Sequence, residues 1–118
     1  MADLTLFHNP KCSTSRKVLD ALEAAGADFD TVLYLKTPPS RSDLERIVGH
    51  LDDDVSALVR HDNRFKELNL EADAYTTSDA VIDLLVEHPE LLQRPLLETA
   101  DRAAVGRPPE AVVATFLG

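Results

Sequence analysis

The sequence predicts an α/β fold: a mixed sheet of about four strands flanked by helices, with a helical insertion between a β-α-β half and a β-β-α half. Three observations carry this. An apolar run, an amphipathic helical stretch and a second apolar run open the chain. The middle reads as helix, without a strand signal. Two short strand-like runs and a proline-led helix close it.

Leu4-Thr5-Leu6-Phe7-His8 is short and apolar, as a strand is, and Asn9-Pro10 stops it. From about Ser13 to Ala25 the period becomes helical: Val18, Leu19 and Leu22 share a face, and Gly26 is placed to cap the end. Phe29–Leu35 reads as a second strand, buried on both faces near Val32-Leu33-Tyr34-Leu35. Pro38-Pro39 breaks the chain, and Ser40 with Asp43 three residues on is a capping box opening a helix through Leu44, Ile47 and Val48 to Gly49. Helical stretches follow at Val55–Arg60, Phe65–Leu70 and about Ser78–Glu87, the last ended by His88-Pro89. Strands are expected at Arg94–Glu98 and Arg102–Val105, then a Gly106-Arg107-Pro108-Pro109 turn and a helix through Ala111, Val112, Val113 and Phe116. A helix joining the first two strands makes them a parallel pair, and the later two form an antiparallel edge.

At 118 residues against ~150 per domain, one domain over residues 1–118 is expected. A 44% hydrophobic content supplies a core. The net charge of −9 argues against nucleic-acid binding, which needs a basic face. Nothing approaches the ~18–20 apolar residues of a membrane span, and Met1-Ala2-Asp3 opens no signal peptide, so a cytoplasmic protein is expected. A single cysteine excludes an internal disulfide, a Cys-x-x-Cys pair and a cysteine-built zinc site.

That cysteine, Cys12, falls between a strand and the first turn of a helix. Free backbone N–H groups and the positive end of the helix dipole favour a thiolate there. Lone cysteines are usually buried and inert. This one lies in the polar run Asn9-Pro10-Lys11-Cys12-Ser13-Thr14-Ser15-Arg16, with no apolar neighbour to bury it, and reads as reactive. Arg16 and His8 are placed to add positive charge or a hydrogen bond, and Ser13, Thr14 and Ser15 form an anion nest. Cysteine phosphatases hold about five residues between Cys and Arg around their oxyanion; the shorter Ser13-Thr14-Ser15 spacing disfavours that chemistry. With Ser15 where a dithiol catalyst has its second cysteine, an external thiol must resolve any product on Cys12.

The segment His8-Asn9-Pro10-Lys11-Cys12-Ser13-Thr14-Ser15-Arg16 resembles the active-site signature of the glutaredoxin-linked arsenate reductase family. The likeness continues in order through Tyr34-Leu35, Pro38-Pro39-Ser40-Arg41, Ala57-Leu58-Val59-Arg60, Phe65-Lys66-Glu67-Leu68, His88-Pro89, Arg94-Pro95 and Gly106-Arg107-Pro108-Pro109-Glu110. The resemblance implies a thioredoxin-like fold with a helical insertion and a cis bond at Arg94-Pro95, facing the cysteine. It implies an enzyme with no tightly bound cofactor. Cys12 attacks arsenate to form a thiol-arsenate adduct, glutathione adds as co-substrate, and glutaredoxin completes reduction to arsenite. Arg60, Arg94 and Arg107 match positions that hold the oxyanion, as suits their planar fork of donors. His8 matches a residue that helps keep the thiol ionised, although an end-of-strand histidine equally suits a purely structural bond.

Ser13 stands where well-studied members often carry glycine, Lys17 replaces a frequent asparagine, and the chain stops at Gly118 without the extension of longer relatives. A monomer is expected. Two other functions fit the same resemblance: a redox-responsive regulator of the Spx type that binds RNA polymerase, and a general glutathione-dependent thiol reductase. Ser15 removes the Cys-x-x-Cys switch such regulators usually employ.

Overall fold

The computed structural model describes residues 4–106 together with 111, 113, 114 and 116. Strands β1 (Leu4–His8), β2 (Phe29–Leu33), β3 (Leu96–Glu98) and β4 (Ala103–Val105) form one sheet in the order β2-β1-β3-β4. β1 and β2 are parallel, with helix α1 (Ser13–Ala24) as the crossover, while β1–β3 and β3–β4 are antiparallel. Between the two halves lie α2 (Arg41–Gly49), a 3₁₀ turn at Val55–Leu58, the short α3 (Asn63–Glu67), a second 3₁₀ turn at Ala72–Ala74, α4 (Ser78–Glu87) and a third at Pro89–Leu91. This is the mixed, thioredoxin-like arrangement with a helical insertion that the sequence predicts. Residues 111, 113, 114 and 116 are helical, as expected of the closing helix. Arg107, Pro108 and Pro109 of the expected turn lie outside the described residues.

Alternation along β1 sets up two cores. Leu4 and Leu6 pack with Val18 and Leu22 of α1, Leu97 and Val113 on one face. Phe7 points the other way, into a larger cluster with Tyr34, Leu44, Ile47, Val81, Leu85 and Leu96. By the same period His8 shares the α1 face with Leu4 and Leu6, which decides what its ring meets.

Local signals account for the helix ends. Ser40 and Asp43 form the reciprocal capping box at α2. Gly26, at φ +70°, closes α1, with Ala27 N–H bonded back to Leu22 O at 3.0 Å. Asp62 and Thr77 cap α3 and α4.

Two expectations are corrected. β2 is not buried on both faces: it is an edge strand, with Asp30 and Thr31 exposed, and Leu35 beyond it is 50% exposed. Only Tyr34 of that run is fully buried. Arg60 is not on a helix. The 3₁₀ turn ends at Leu58, and the chain extends so that Arg60 N–H donates to Leu91 O at 2.8 Å and Gln93 N–H to Leu58 O at 2.7 Å. Val59 pairs with Leu92 between those bonds. A periodic apolar count cannot tell this short bridge from a helical turn.

The Arg94-Pro95 bond is cis, as expected. Gly106 packs against that proline: its N–H donates to Pro95 O at 2.8 Å, and a Cβ on it would lie 2.6 Å from Pro95 Cγ and 3.3 Å from Val18 Cγ2. Gly106→Ala is therefore expected to destabilise the protein by about 1–3 kcal/mol through overpacking. Urea unfolding followed by circular dichroism measures this, as a lower midpoint at unchanged slope.

Candidate active site around Cys12

The loop that carries Cys12 is held by Asn9. Asn9 O accepts from Cys12 N–H at 3.0 Å, Asn9 Oδ1 accepts from Lys11 N–H at 3.0 Å, and Asn9 N–H donates to Ser15 Oγ at 3.1 Å. An Asx-type turn thus ends β1 and delivers Cys12, at φ −96° and ψ 123°, to the N-cap of α1. The first helical hydrogen bond, Arg16 N–H to Cys12 O at 3.0 Å, follows at once.

Cys12 is only 8% exposed, against the expectation from its polar neighbours in sequence. Its partners include Arg94, distant along the chain. Burial alone raises the thiol pKa. The Ser15 N–H, the Arg94 guanidinium by hydrogen bond and charge, and the Thr14 N–H together outweigh it, leaving the thiol below its ordinary value. The thiolate therefore persists as pH falls below the ~8.5 of a free cysteine and is lost only as pH passes the lowered pKa. Iodoacetamide alkylation of the folded protein should show a midpoint below that of the urea-unfolded chain. Equal midpoints would remove the activated thiolate.

His8 and Ser15 form a unit beneath this loop. Ser15, Val18 and Leu22 make the buried stripe of α1, so Ser15 faces β1 where His8 emerges. His8 Nδ1 lies 2.7 Å from Ser15 Oγ, and both residues are buried. Burial, and then the charge of Arg16, lower the His8 pKa, so the ring is neutral at neutral pH. Asn9 N–H donates to the same Ser15 Oγ, so the hydroxyl is held by both the ring and the loop backbone. Of the positive charge or hydrogen bond expected of His8, the structure shows the hydrogen bond: the ring holds Ser15, whose N–H reaches the sulfur.

Arg16 is exposed, and its Nη1 donates to Pro10 O at 3.2 Å, bracing the loop. Ser13 is an exposed first residue of α1, and Asn69 is the one non-glycine residue with positive φ among the described residues. Serine in place of the relatives' glycine therefore needs no special backbone conformation. Thr14 is half-buried beside it.

Arg94, half-buried immediately before Pro95, meets Cys12 from the insertion side. Arg60 reaches the same neighbourhood because its strand-like segment pairs with residues 91–93, directly before Arg94. Its Nε donates to Asp62 Oδ2 at 2.9 Å. For Asp62, burial raises the carboxyl pKa, but the Phe65 N–H and the charges of Arg60 and Arg94 hold it below the usual carboxylate range. Arg107 lies outside the described residues.

Sequence reasoning assigned no role to Asn9, Asp62 or Tyr34, which join Cys12, Arg60 and Arg94 here. Asn before Pro at a strand end, and Asp three residues before Phe65, were legible as a turn and a cap. Nothing in the sequence tied Tyr34 to the loop. A cleft of about 380 Å³ borders the loop, lined by His8, Asn9, Pro10, Lys11, Leu33, Leu35 and Lys36. Among the described residues no group of three or more His, Cys, Asp or Glu could hold a metal ion, and no helix is long and apolar enough to cross a membrane.

Residues 7–115 match the model of the ArsC family. The chain is 37% identical over 114 residues to an arsenate reductase of Escherichia coli, covering 96% of this chain and 80% of that protein. It is 39% identical over 118 residues to an arsenate reductase of Neisseria meningitidis serogroup B, covering 98% of this chain and all of that one. Among solved structures, an arsenate reductase from Vibrio cholerae superposes with a TM-score of 0.82 at 38% identity, over 96% of this chain and 97% of that one.

Proposed function

The chain belongs to the ArsC family, and from that premise we propose that it is an arsenate reductase whose nucleophile is the Cys12 thiolate. The observation that carries this reading is the place of Cys12 at the N-cap of α1, with the Ser15 and Thr14 N–H groups and the Arg94 guanidinium turned to its sulfur. An oxyanion is the substrate class such a site suits. Arg94 and Arg60 present guanidinium groups, and the helix end adds oriented N–H donors. Arg107 completes the set as the family pattern implies, with Ser13, Thr14, Ser15 and Arg16 forming the anion loop.

In the proposed reaction Cys12 Sγ attacks arsenic, an S–As bond forms, and an arsenate oxygen leaves as water after protonation. Glutathione then bonds to arsenic through sulfur as a second oxygen leaves as water. A glutaredoxin thiolate attacks the glutathione sulfur, the mixed disulfide leaves, and the S–As electron pair stays on arsenic, converting As(V) to As(III). Water then displaces Cys12 from As(III), releasing arsenite and the free thiol. The guanidinium groups stabilise the charge that builds on the arsenate oxygens, an effect often worth about 3–4 kcal/mol per donor in such sites. His8 acts through Ser15 as a neutral orienting ring. One domain, working as a monomer in the cytoplasm, is sufficient for this chemistry.

The test is turnover with arsenate, glutathione and glutaredoxin, read as arsenite formed. Turnover that depends on all three supports the proposal. RNA polymerase binding without turnover would favour a regulator, and deglutathionylation of a peptide with no effect of arsenate would favour a general thiol reductase.

A further inference from the structure

Tyr34 is a buried polar residue with no part in the chemistry above. It follows β2, is 0% exposed, and sits in the larger core among Phe7, Leu44 and Leu96. Its hydroxyl is buried too, yet makes no hydrogen bond of ordinary geometry with any described residue. A buried hydroxyl without a partner costs stability, and phenylalanine would fill the same space without that cost. Chemistry around the ring explains why the oxygen is there. Arg94 acts on it by charge and as an N–H donor, Asn9 as an N–H donor, and Cys12 by charge. The Asn9 carbonyl oxygen Oδ1 is already engaged by Lys11 N–H, so the amide NH₂ is the group left to face Tyr34.

We propose that Tyr34 is a positioning residue of the anion site, its hydroxyl oxygen setting the angle at which the Arg94 guanidinium meets Cys12 and an oxyanion bound beside it. This rests on the oxyanion reading for its kinetic consequence, but not for its effect on the thiol. Tyr34 is fully buried and Arg94 half-buried, and a lone pair on the hydroxyl oxygen offers the guanidinium a second anchor. Asn9 ties the same oxygen to the loop that carries Cys12. The hydroxyl therefore links the insertion side of the site to the helix side.

The experiment is Tyr34→Phe, read by arsenate kinetics, by the pH profile of iodoacetamide alkylation, and by protection of Cys12 with sulfate. Loss of one hydrogen-bonding group should raise the KM for arsenate and weaken sulfate protection by about three- to tenfold, with kcat changed less than about twofold. The alkylation midpoint should move up towards that of the unfolded chain, while the melting temperature holds or rises. Unchanged KM and an unchanged alkylation profile in the folded variant would overturn the proposal. If the wild type fails to reduce arsenate, the alkylation profile still decides: a shifted midpoint upholds Tyr34 and an unshifted one overturns it. The Arg94→Ala background separates this from a structural effect. Because Tyr34 acts through Arg94, adding Tyr34→Phe there should not move the midpoint further, and an additive shift counts against the proposal.

Discussion

Cys12→Ser is expected to abolish arsenite formation, a loss of at least about 10³-fold, in a protein that folds as the wild type does. The exchange replaces one sulfur by a smaller oxygen at a site that is only 8% exposed and has polar partners, so stability should change little. The chemistry changes far more. The Ser15 and Thr14 N–H groups and Arg94 lower the pKa of a thiol enough to populate its anion. The same contacts cannot ionise an aliphatic hydroxyl at neutral pH, since its intrinsic pKa lies many units higher than a thiol's. The chain holds no second cysteine to take over. The variant should still bind arsenate, because the guanidinium groups and the helix N–H donors are intact. Arsenate protection against proteolysis or heat would then survive while turnover does not, a split that distinguishes a lost nucleophile from a lost site. Residual turnover within tenfold of wild type would mean that the cysteine is not the attacking group.

Most of this site was legible before any coordinates, and the reason is local. The cysteine's place at a strand-to-helix junction follows from patterns within about nine residues, and such patterns report backbone geometry directly. The capping box at Ser40, the glycine end cap of α1 and the parallel β1–β2 pair are local in the same sense. What escaped is what depends on distant segments. Cys12 is buried in the fold and has Arg94 as a partner, a residue from just before β3, so the polar sequence around the cysteine gives no hint of its burial. The mistake over β2 has the same origin: an apolar strand reads alike at the centre or edge of a sheet, and only the strand order decides. Arg60 was assigned a helical setting because a bridge of three residues has no period of its own.

For His8 the sequence leaves a positive charge or a hydrogen bond open, and the structure gives the hydrogen bond. A histidine beside a thiolate suggests an ion pair. Here the period of β1 turns the ring into the α1 face, where Ser15 holds Nδ1 and burial keeps the ring neutral. The positive charge that lowers the thiol pKa comes instead from Arg94, more than eighty residues on by the numbering. The insertion meets the candidate site by this route. Its extended segment around Val59 pairs with Leu92 and so brings Arg60 and Asp62 to the side of the chain that leads into Arg94.

Under the proposed function Arg94 has two separable duties, and replacing it should expose both. Arg94→Ala removes a hydrogen bond and a charge from the thiolate and a fork of donors from the oxyanion, for an expected loss of about 10²–10³ in kcat/KM at neutral pH. The thiol part has a definite sign. Without Arg94 the burial of Cys12 is less opposed, its pKa rises, and less thiolate is present at pH 7. Raising the pH restores the thiolate, so part of the lost rate returns on the alkaline side; the oxyanion part does not return, since no change of pH replaces the missing guanidinium. Arg94→Lys divides the two further. An ammonium supplies charge near the sulfur but not the planar two-point contact with tetrahedral oxygens. The lysine variant should recover the alkylation midpoint more completely than it recovers the KM for arsenate. Asp62 adds a check, because its carboxylate keeps Arg60 but loses the charge of Arg94 in the alanine variant, which raises its pKa from the lowered value. Rate and alkylation profiles for the wild type and both variants decide the matter: a wild-type KM in Arg94→Ala would separate Arg94 from the oxyanion, and a wild-type alkylation midpoint would separate it from Cys12.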